Sequence, residues 1–257
     1  MILGLEFPPV SHLVEWPEFL FENTAFAVNK VVVLMWLSAI IAFVVFYMAG
    51  RQAQASLVPT GLQNLAESVV DFIREQIILQ TIGPDGLRFT PFLLTMFVFI
   101  LIGNLWEVIP IAQMPSNGRI AFPALLAIVV WIIYNYLGIR HQGFFGYFKN
   151  VMFPPGVPKP IYVIVTPIEL VSRMITQPFA LAVRLFANML AGHLLLVTFA
   201  LITAQALAPS PTAVISPFSF VLLVALTGFE VLVAVLQAFI YTILTSVYIG
   251  GSLHPEH

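Results

Sequence analysis

The chain has 257 residues, of which 60% are hydrophobic and 9% are charged, and its formal net charge at pH 7 is −2. Soluble globular domains carry about 25% charged residues, so this composition excludes a water-facing fold for most of the chain. The near-neutral charge gives no basic excess for binding nucleic acid. The absence of cysteine excludes disulfides and thiolate metal sites.

The N-terminal segment, residues 1–26, is acidic and does not resemble a secretion signal. It contains four glutamates: Glu6, Glu15, Glu18 and Glu22. A signal peptide begins with positive charge, whereas the first basic residue here is Lys30. We therefore expect residues 1–26 to form an outer segment and residues 28–50 to remain as the first span.

Long apolar runs, three of them uncharged, predict five membrane crossings, because a spanning helix needs about 20 apolar residues. The runs are Val31–Gly50, Phe89–Trp106, Ile120–Ile139, residues 174–207 with Arg184 and His193, and Val214–Leu253 with Glu230. The predicted fold is an all-α, polytopic membrane protein with one integral membrane domain over 1–257. We expect a span pair within 89–139 and a hairpin of two long, tilted or kinked helices within 161–253.

Residues 61–81 predict an amphipathic helix that lies on the membrane surface. The apolar face consists of Leu62, Leu65, Val69, Phe72, Ile73 and Ile77, and the polar face of Gln63, Asn64, Glu67, Asp71, Arg74 and Glu75. The alternative is a packed helix within a soluble loop domain.

The distribution of basic residues predicts the orientation of the five spans. With the N terminus outside, the inner segments carry Arg51, Arg74, Arg88, Arg140, Lys149, Lys159 and Arg173, and the outer segments carry Lys30 and Arg119. The proline-rich loop 148–160 then lies at the inner surface, residues 208–212 form the outer turn of the hairpin, and the C terminus is cytoplasmic.

Arg184 is a charge in the middle of an apolar segment. A mid-membrane arginine is unfavourable by about 2.5–3.5 kcal/mol on insertion scales and stays protonated, so it indicates a water path or an acidic partner. Helical periodicity places it on one stripe with Gln177, Ala180, Asn188 and Ala191. The small residues of this stripe allow a second helix to approach, and the partner carboxylate is expected on another chain. The alternative is an arginine that braces a kink near Pro178.

His193 and Glu230 are predicted to lie at similar depth in the hairpin, where they could share a proton. His193 is 17 residues before position 210, the middle of the predicted turn, and Glu230 is 20 residues after it. Histidine–carboxylate pairs with access to water suit proton relay. Glu230 also begins a second polar stripe with Ala234, Gln237 and Tyr241. The alternative for His193 is a hydrogen-bonded core histidine.

The remaining polar residues near the spans allow two interpretations each. Asn104, Glu107 and Tyr241 are candidates for an outer proton path. The alternative for Glu107 is that it simply marks the membrane interface. Glu169, Ser172 and Arg173 are candidates for an inner path, or form a solvated helix start. The sequence has no GxxxxGK[ST] or HExxH motif and no metal-ligand cluster, so we expect no metal, no cofactor and no catalysis by the chain alone.

Two motifs carry a family resemblance. The segments RLFANMLAGH (184–193) and LQAFIYTILTSVYIG (236–250) resemble the signature regions of subunit a of F-type ATP synthases. The order of acidic N terminus, span, surface helix, span pair and long hairpin is also similar over most of the chain. Ala187 stands where the family often has glycine, which is a mild departure.

The resemblance implies a stator subunit of a rotary, proton-translocating membrane sector. Arg184 matches the essential arginine that faces the carboxylates of the rotating c-ring, and Asn188 and Gln237 match polar residues beside it. His193 and Glu230 match two coupled positions of the outer half-channel, with the histidine and the acid exchanged relative to some members. The implied partners are the c-ring, peripheral-stalk b-type subunits and membrane lipid, in a bacterial plasma membrane.

Two other functions are compatible with part of the sequence. A proton-coupled secondary transporter also uses intramembrane ionisable residues, but no inverted repeat is evident. A purely structural membrane subunit leaves the insertion penalties of Arg184, His193 and Glu230 unexplained.

Overall fold

The computed structural model describes residue 20 and residues 27–55, 60–109, 112, 114, 116–153, 158–206 and 216–253. Regular structure in these ranges is helical, apart from an isolated antiparallel bridge between Leu20 and Val28. The predicted N-terminal segment, except Leu20, and the predicted turn at 208–212 lie outside the described residues.

The helices follow the apolar runs of the sequence. They are α1 Lys30–Ala55, α2 Leu62–Phe72, α3 Thr90–Leu105, α4 Ala121–Gln142, α5 Phe144–Met152, α6 Tyr162–Val171, α7 Gln177–Ala206 and α8 Ser216–Leu253. Five stretches of the described chain are long and apolar enough to cross a membrane: Lys30–Gln54, Pro84–Leu105, Ala121–Gln142, Tyr162–Gln205 and Ser216–Leu253. The predicted all-α, polytopic membrane fold with five crossings is therefore confirmed.

Helix α1 extends past the predicted end of the first span at residue 50. It begins next to Asn29, whose side-chain oxygen accepts a hydrogen bond from the Val32 amide at 3.1 Å. At the other end Gly50 keeps a helical conformation, and the guanidinium of Arg51 lies 6.0 Å from the ring centre of Tyr47. Because no proline follows until residue 59, nothing in the sequence stops the helix at the charged residue.

The fourth candidate span contains an irregular turn. The π-helical residues Ser172–Thr176 join α6 to α7, and Pro167 lies inside α6. Prolines and π-helical turns are usual sites of bending in helices. They give this 44-residue stretch a means of bending that a regular helix of that length lacks.

The predicted polar face of the surface helix is wrong at Gln63, which is 4% exposed. Leu65, on the predicted apolar face, is 57% exposed, as a side chain that faces lipid would be. Gln63 Nε2 donates a hydrogen bond to Glu67 at 2.8 Å, whereas the side-chain oxygen of Gln63 has no hydrogen-bond partner in the described chain. The buried residues Gln63, Ala66, Ile73 and Ile77 recur at regular helical spacing, so the face that packs inside the chain is the one that contains Gln63.

The chain divides into two compact units, each built from three segments. The first comprises the described residues of Met1–Ile41, Phe99–Arg119 and Phe186–Gln237, and the second those of Ala42–Val98, Ile120–Leu185 and Ala238–His257.

In the first unit, the second part of α7 and the first part of α8 pack as an antiparallel pair. The hydroxyls of Thr203 and Ser219 are hydrogen-bonded at 2.9 Å. Eleven residues further from the turn on both helices, Gly192 contacts the carboxylate of Glu230. The two contacts share one register, so residues equally far from the connection face each other.

In the second unit, the end of α8 packs against the residues that follow α2. The hydroxyls of Thr81 and Ser246 are 2.6 Å apart. One turn further, a methyl group at Gly250 would lie 2.9 Å from the carbonyl oxygen of Thr81. The lack of a side chain at residue 250 therefore permits this close approach of backbone to backbone, as small residues do between membrane helices.

Candidate functional site

The carboxylate of Glu230 occupies the space that a side chain at residue 192 would need. A methyl group at Gly192 would lie 2.6 Å from Glu230 Cδ and 2.7 Å from Oε1. Both residues are buried, and Glu230 is 5% exposed. The next residue on α7 is His193, which is 7% exposed. The structure thus brings the Glu230 carboxylate to the backbone of α7 one residue before His193, as the predicted equal depth requires.

A second carboxyl group belongs to the same unit. Glu107 follows the end of α3 in a turn in which its amide donates to the carbonyl of Asn104 at 3.1 Å, and its side chain is 5% exposed. Burial, with the negative charge of Glu230 as a smaller cause, raises the pKa of Glu107 to about 8. Glu107 and Glu230 are therefore close enough for the charge of one to oppose ionisation of the other.

Two asparagines hold this region together. Asn104, which is fully buried, donates to the carbonyl of Ala234 on α8 at 3.4 Å. The side-chain amide of Asn117 in turn donates to the side-chain oxygen of Asn104. We call the residues Asn104, Glu107, Asn117, Gly192, His193 and Glu230 the Glu230 cluster.

The predicted polar stripe of α8 is buried at all four of its positions. Glu230 and Gln237 are 5% and 6% exposed, and Ala234 and Tyr241 are 1% and 3% exposed. Within the described chain, Glu230 Oε2, Glu107 Oε1 and the Tyr241 hydroxyl have no hydrogen-bond partner. Buried polar atoms of this kind are stabilised by protonation or by water. The two carboxyl oxygens are therefore suited to gain and lose protons.

Arg184 has a different environment from these residues. It is exposed in the middle of α7, and Ala187 and Ala191 on the same helix are also exposed, whereas Asn188 is half-buried. In the second unit its charge interacts electrostatically with Tyr248 near the end of α8. The arginine therefore lies at the exposed surface of the molecule, beside small side chains that leave room for a partner helix.

Arg173 is held by aromatic and hydroxyl groups of the second unit. Its Nε donates to the Tyr147 hydroxyl at 3.0 Å and its Nη2 to Ser252 Oγ at 2.6 Å. Its guanidinium lies 5.7 Å and 5.2 Å from the ring centres of Tyr134 and Tyr147. The Tyr134 hydroxyl donates to the Arg173 carbonyl, and the Tyr147 hydroxyl to Asn135, both at 2.7 Å. We call these five residues the Arg173 cluster.

The other two candidates for an inner path lie near Arg173 in the chain. Glu169 is exposed on α6, four residues before Arg173, and Ser172 is half-buried at the start of the π-helical turn. Neither takes part in the hydrogen bonds that hold the Arg173 guanidinium, which are made with Tyr147 and Ser252.

Several residues of the two clusters were not predicted. Gly192 and Asn117 belong to the first cluster, and Tyr134, Asn135, Tyr147 and Ser252 to the second. No local pattern marks these residues, because their roles depend on contacts with distant segments.

The chemistry that these residues provide is proton binding and charge stabilisation. The Glu230 cluster has two carboxyl groups and an imidazole in a buried setting, and Arg184 offers a fixed positive charge on an apolar surface. Among the described residues, no group of three or more histidine, aspartate or glutamate side chains could hold a metal ion.

Comparisons with known proteins identify the family. Residues 32–250 match the family model described as ATP synthase A chain. The ATP synthase subunit a of Frankia alni is 45% identical over 231 residues, covering 89% of this chain and 79% of the relative. The subunit a of a Parafrankia species is 45% identical, covering 96% of this chain and 83% of the relative. The subunit a of Rhodococcus erythropolis is 38% identical, covering 93% of this chain and 88% of the relative.

The matched region contains Arg184, the Glu230 cluster and the five candidate spans, except residues 30–31 of the first span and 251–253 of the last. The family resemblance stated from the motifs at 184–193 and 236–250 is therefore confirmed. The chain is an integral, multi-pass membrane protein, and it belongs to the ATP synthase subunit a family.

Proposed function

We propose that this chain is the proton-conducting stator of an F-type ATP synthase, and that it carries protons to and from a rotating c-ring through two offset half-channels. The observation that carries the proposal is the exposure of Arg184 in the middle of an apolar helix. A permanent charge on such a surface is unfavourable in lipid. A carboxylate on a moving partner relieves that penalty without occupying the site permanently.

The outer half-channel is assigned to the Glu230 cluster. Its two carboxyl groups and His193 are buried beside asparagine side chains, and both carboxyl groups have one oxygen without a protein partner in the described chain. The pKa of Glu107, raised to about 8, allows this group to exchange protons near neutral pH. Protons from the outer side pass along Glu107, Glu230 and His193 toward the ring.

Protonation of a ring carboxylate removes its charge, so that the carboxyl group can face lipid at a much smaller penalty. The ring then turns, and each carboxyl group returns to the stator from the other direction after losing its proton to an inner path. Arg184 favours the ionised form of the arriving carboxylate, and Asn188 and Gln237 contribute polar groups beside it.

Arg184 also separates the two half-channels. A proton that moved directly from one path to the other would have to pass a permanent cation, since arginine stays protonated at any accessible pH. The inner path is assigned to exposed Glu169, with Ser172 beside it. Without this separation the proton gradient would dissipate as a leak and would not drive rotation.

The orientation follows from the distribution of basic residues, seven of which lie on the side assigned to the cytoplasm. The N terminus is outside and the C terminus is in the cytoplasm of a bacterial cell. The chain works as one integral membrane domain and performs no catalysis alone. Its partners are the c-ring against Arg184, peripheral-stalk b-type subunits and membrane lipid.

The alternative, a proton-coupled secondary transporter, differs in what the purified chain can do. We expect the chain alone in lipid vesicles to move no solute and to restore no gradient-driven activity. When it is co-assembled with a ring of helical hairpins that carry mid-membrane carboxyl groups, we expect gradient-driven ATP synthesis by the whole complex. Proton-dependent solute uptake by the chain alone would contradict the proposal.

A further inference from the structure

A cavity of about 430 Å³ in the second unit is lined by basic and apolar side chains together. The residues lining it are Arg88, Phe89, Leu137, Arg140, His141 and Leu253. None of these described lining residues is acidic. The cavity is outside the Glu230 and Arg173 clusters, and the proposed proton paths do not use it.

The basic side chains of the cavity are exposed, and among the described residues the two arginines contact aromatic groups. The guanidinium of Arg88 lies 4.9 Å from the ring centre of Phe89, and Arg140 donates to the Tyr136 hydroxyl at 3.1 Å. Aromatic contacts of this kind orient a guanidinium but do not neutralise it. Both arginines therefore keep N–H donors for an anion, and His141 lines the same cavity as a third exposed polar group.

The cavity lies at the ends of three candidate spans. Arg88 is near the start of Pro84–Leu105, Arg140 and His141 are in the last turn of Ala121–Gln142, and Leu253 is the last residue of Ser216–Leu253. Connected spans alternate in direction, so these three ends fall on the same face of the membrane. The polar part of the cavity is thus at the level of lipid head groups, with Leu137 one turn deeper than Arg140.

We propose that this cavity binds the head-group phosphate of an anionic phospholipid. Arg88 and Arg140 hold the phosphate, because guanidinium groups match phosphate oxygens in geometry and charge. Phe89, Leu137 and Leu253 pack against the first carbons of the acyl chains. A free phosphate would satisfy the arginines equally well but would leave this apolar wall exposed to water, so the combination favours a lipid.

The anionic lipids of the cytoplasmic leaflet are suitable ligands for this cavity. Basic pockets between membrane helices on the cytoplasmic side bind anionic lipid head groups. The proposed orientation puts Arg88 and Arg140 on that side. The lipid would tie together the ends of three helices that belong to one compact unit.

Photo-crosslinking tests the proposal in the assembled complex. The complex is purified, depleted of lipid and returned to nanodiscs that contain a phosphatidylglycerol with a photoactivatable group in its acyl chain. Peptide mass spectrometry then measures labelling of residues 137–141 and of the peptide ending near 253. We expect strong labelling by phosphatidylglycerol and about tenfold less by a phosphatidylcholine probe with the same chains, since only the first is anionic overall.

Two double variants test whether labelling by phosphatidylglycerol depends on the arginines of the cavity. In Arg88→Gln/Arg140→Gln, we expect phosphatidylglycerol labelling of the cavity to fall about tenfold or more, because two phosphate-binding charges are removed. The matched control, Arg51→Gln/Lys149→Gln, removes two exposed charges that do not line the cavity and should keep wild-type labelling. Comparison of the two lipid probes on the wild-type complex needs no variant, so the test stands even if the double variant assembles poorly.

Three outcomes would overturn the proposal. Equal labelling by the two lipid probes would show a merely apolar groove. Loss of labelling on adding inorganic phosphate, but not chloride at the same ionic strength, would show a free-phosphate site. An equal fall in the control variant would show a general surface-charge effect.

Discussion

The Glu230 carboxylate packs against the backbone of Gly192, in the space where any other residue would place its Cβ atom. The helix that supplies Gly192 supplies His193 at the next position, and both the histidine and the glutamate are buried. The contact between Gly192 and the Glu230 carboxylate thus sets the distance between α7 and α8 at the level of the proposed proton relay. It also accounts for an acid on α8 reaching α7 within a membrane.

Substitution of Gly192 should therefore damage function more than folding. In Gly192→Ala, the new methyl group would overlap the carboxyl group of Glu230, and we expect gradient-driven ATP synthesis to fall about tenfold, since small displacements of proton-carrying groups have large kinetic effects. The matched control is Gly228→Ala, because a methyl group there meets no described atom within 4 Å. Equal activity of the two variants in reconstituted vesicles would contradict the role given to this contact.

The side chain of Glu230 itself can be tested by an isosteric change. Glu230→Gln keeps the shape of the buried group but cannot release a proton. We expect the complex to assemble normally and ATP-driven proton pumping to fall about tenfold or more, as is usual when a general acid–base group is lost. Pumping at the wild-type rate, measured with a pH-sensitive dye in vesicles, would remove Glu230 from the proton path.

The raised pKa of Glu107 predicts a specific pH dependence of stability. Its pKa is about 8 in the folded chain against a reference of 4.5, so the folded state binds the proton more tightly and stability falls as pH rises from about 4.5 through 8. Glu107→Gln removes this contribution, and we expect its melting temperature to depend less on pH over that range. Glu75→Gln, at an exposed position of the surface helix, serves as the control and should follow the wild type. A Glu107→Gln profile parallel to the wild type would refute the prediction.

The contacts of Arg173 predict a structural role for this residue. Two hydrogen bonds and two ring contacts hold its guanidinium, and a charged hydrogen bond contributes about 1.5–3 kcal/mol. We expect Arg173→Gln to lower the melting temperature of the complex by about 10 °C. Arg173→Lys should recover little of this, because an ammonium cannot donate in the planar arrangement of a guanidinium.

The control for that prediction is Arg74→Gln, which changes an exposed arginine of the surface helix and should alter the melting temperature by about 2 °C or less. If Arg173→Gln melts like this control yet loses ATP synthesis, the structural role is contradicted and a place in the inner proton path is favoured.

The spans could be predicted because they depend on local composition alone. An uncharged run of 20 residues, such as Val31–Gly50, must be helical in lipid, since every backbone polar group has to be satisfied within the segment. The exact helix ends were less predictable: α1 continues to Ala55, because a membrane boundary ends an apolar run without ending a helix. The burial of Gln63 was not predictable either, because it depends on which face of α2 packs against distant residues.

The candidate site was predictable where residues are chemically conspicuous. Arg184, His193 and Glu230 stand out because charged and titratable groups are rare in apolar segments. Gly192 does not stand out, since its role depends on which residue of α8 faces it. Tyr147 and Ser252 likewise meet Arg173 only through long-range packing. The equal depth of His193 and Glu230 could be estimated from the turn, but the register needed the contacts at Gly192 and Thr203.

The most direct test of the proposed mechanism is gradient-driven ATP synthesis by Arg184→Ala in vesicles that contain the complete complex. Its control is Arg119→Ala, which removes an arginine outside the candidate spans and should keep most of the wild-type rate. The proposal predicts that Arg184→Ala assembles with the ring and makes no ATP in response to an imposed proton gradient. Synthesis at the wild-type rate by this variant would contradict the proposed role of Arg184 as the charge that faces the ring and separates the two half-channels.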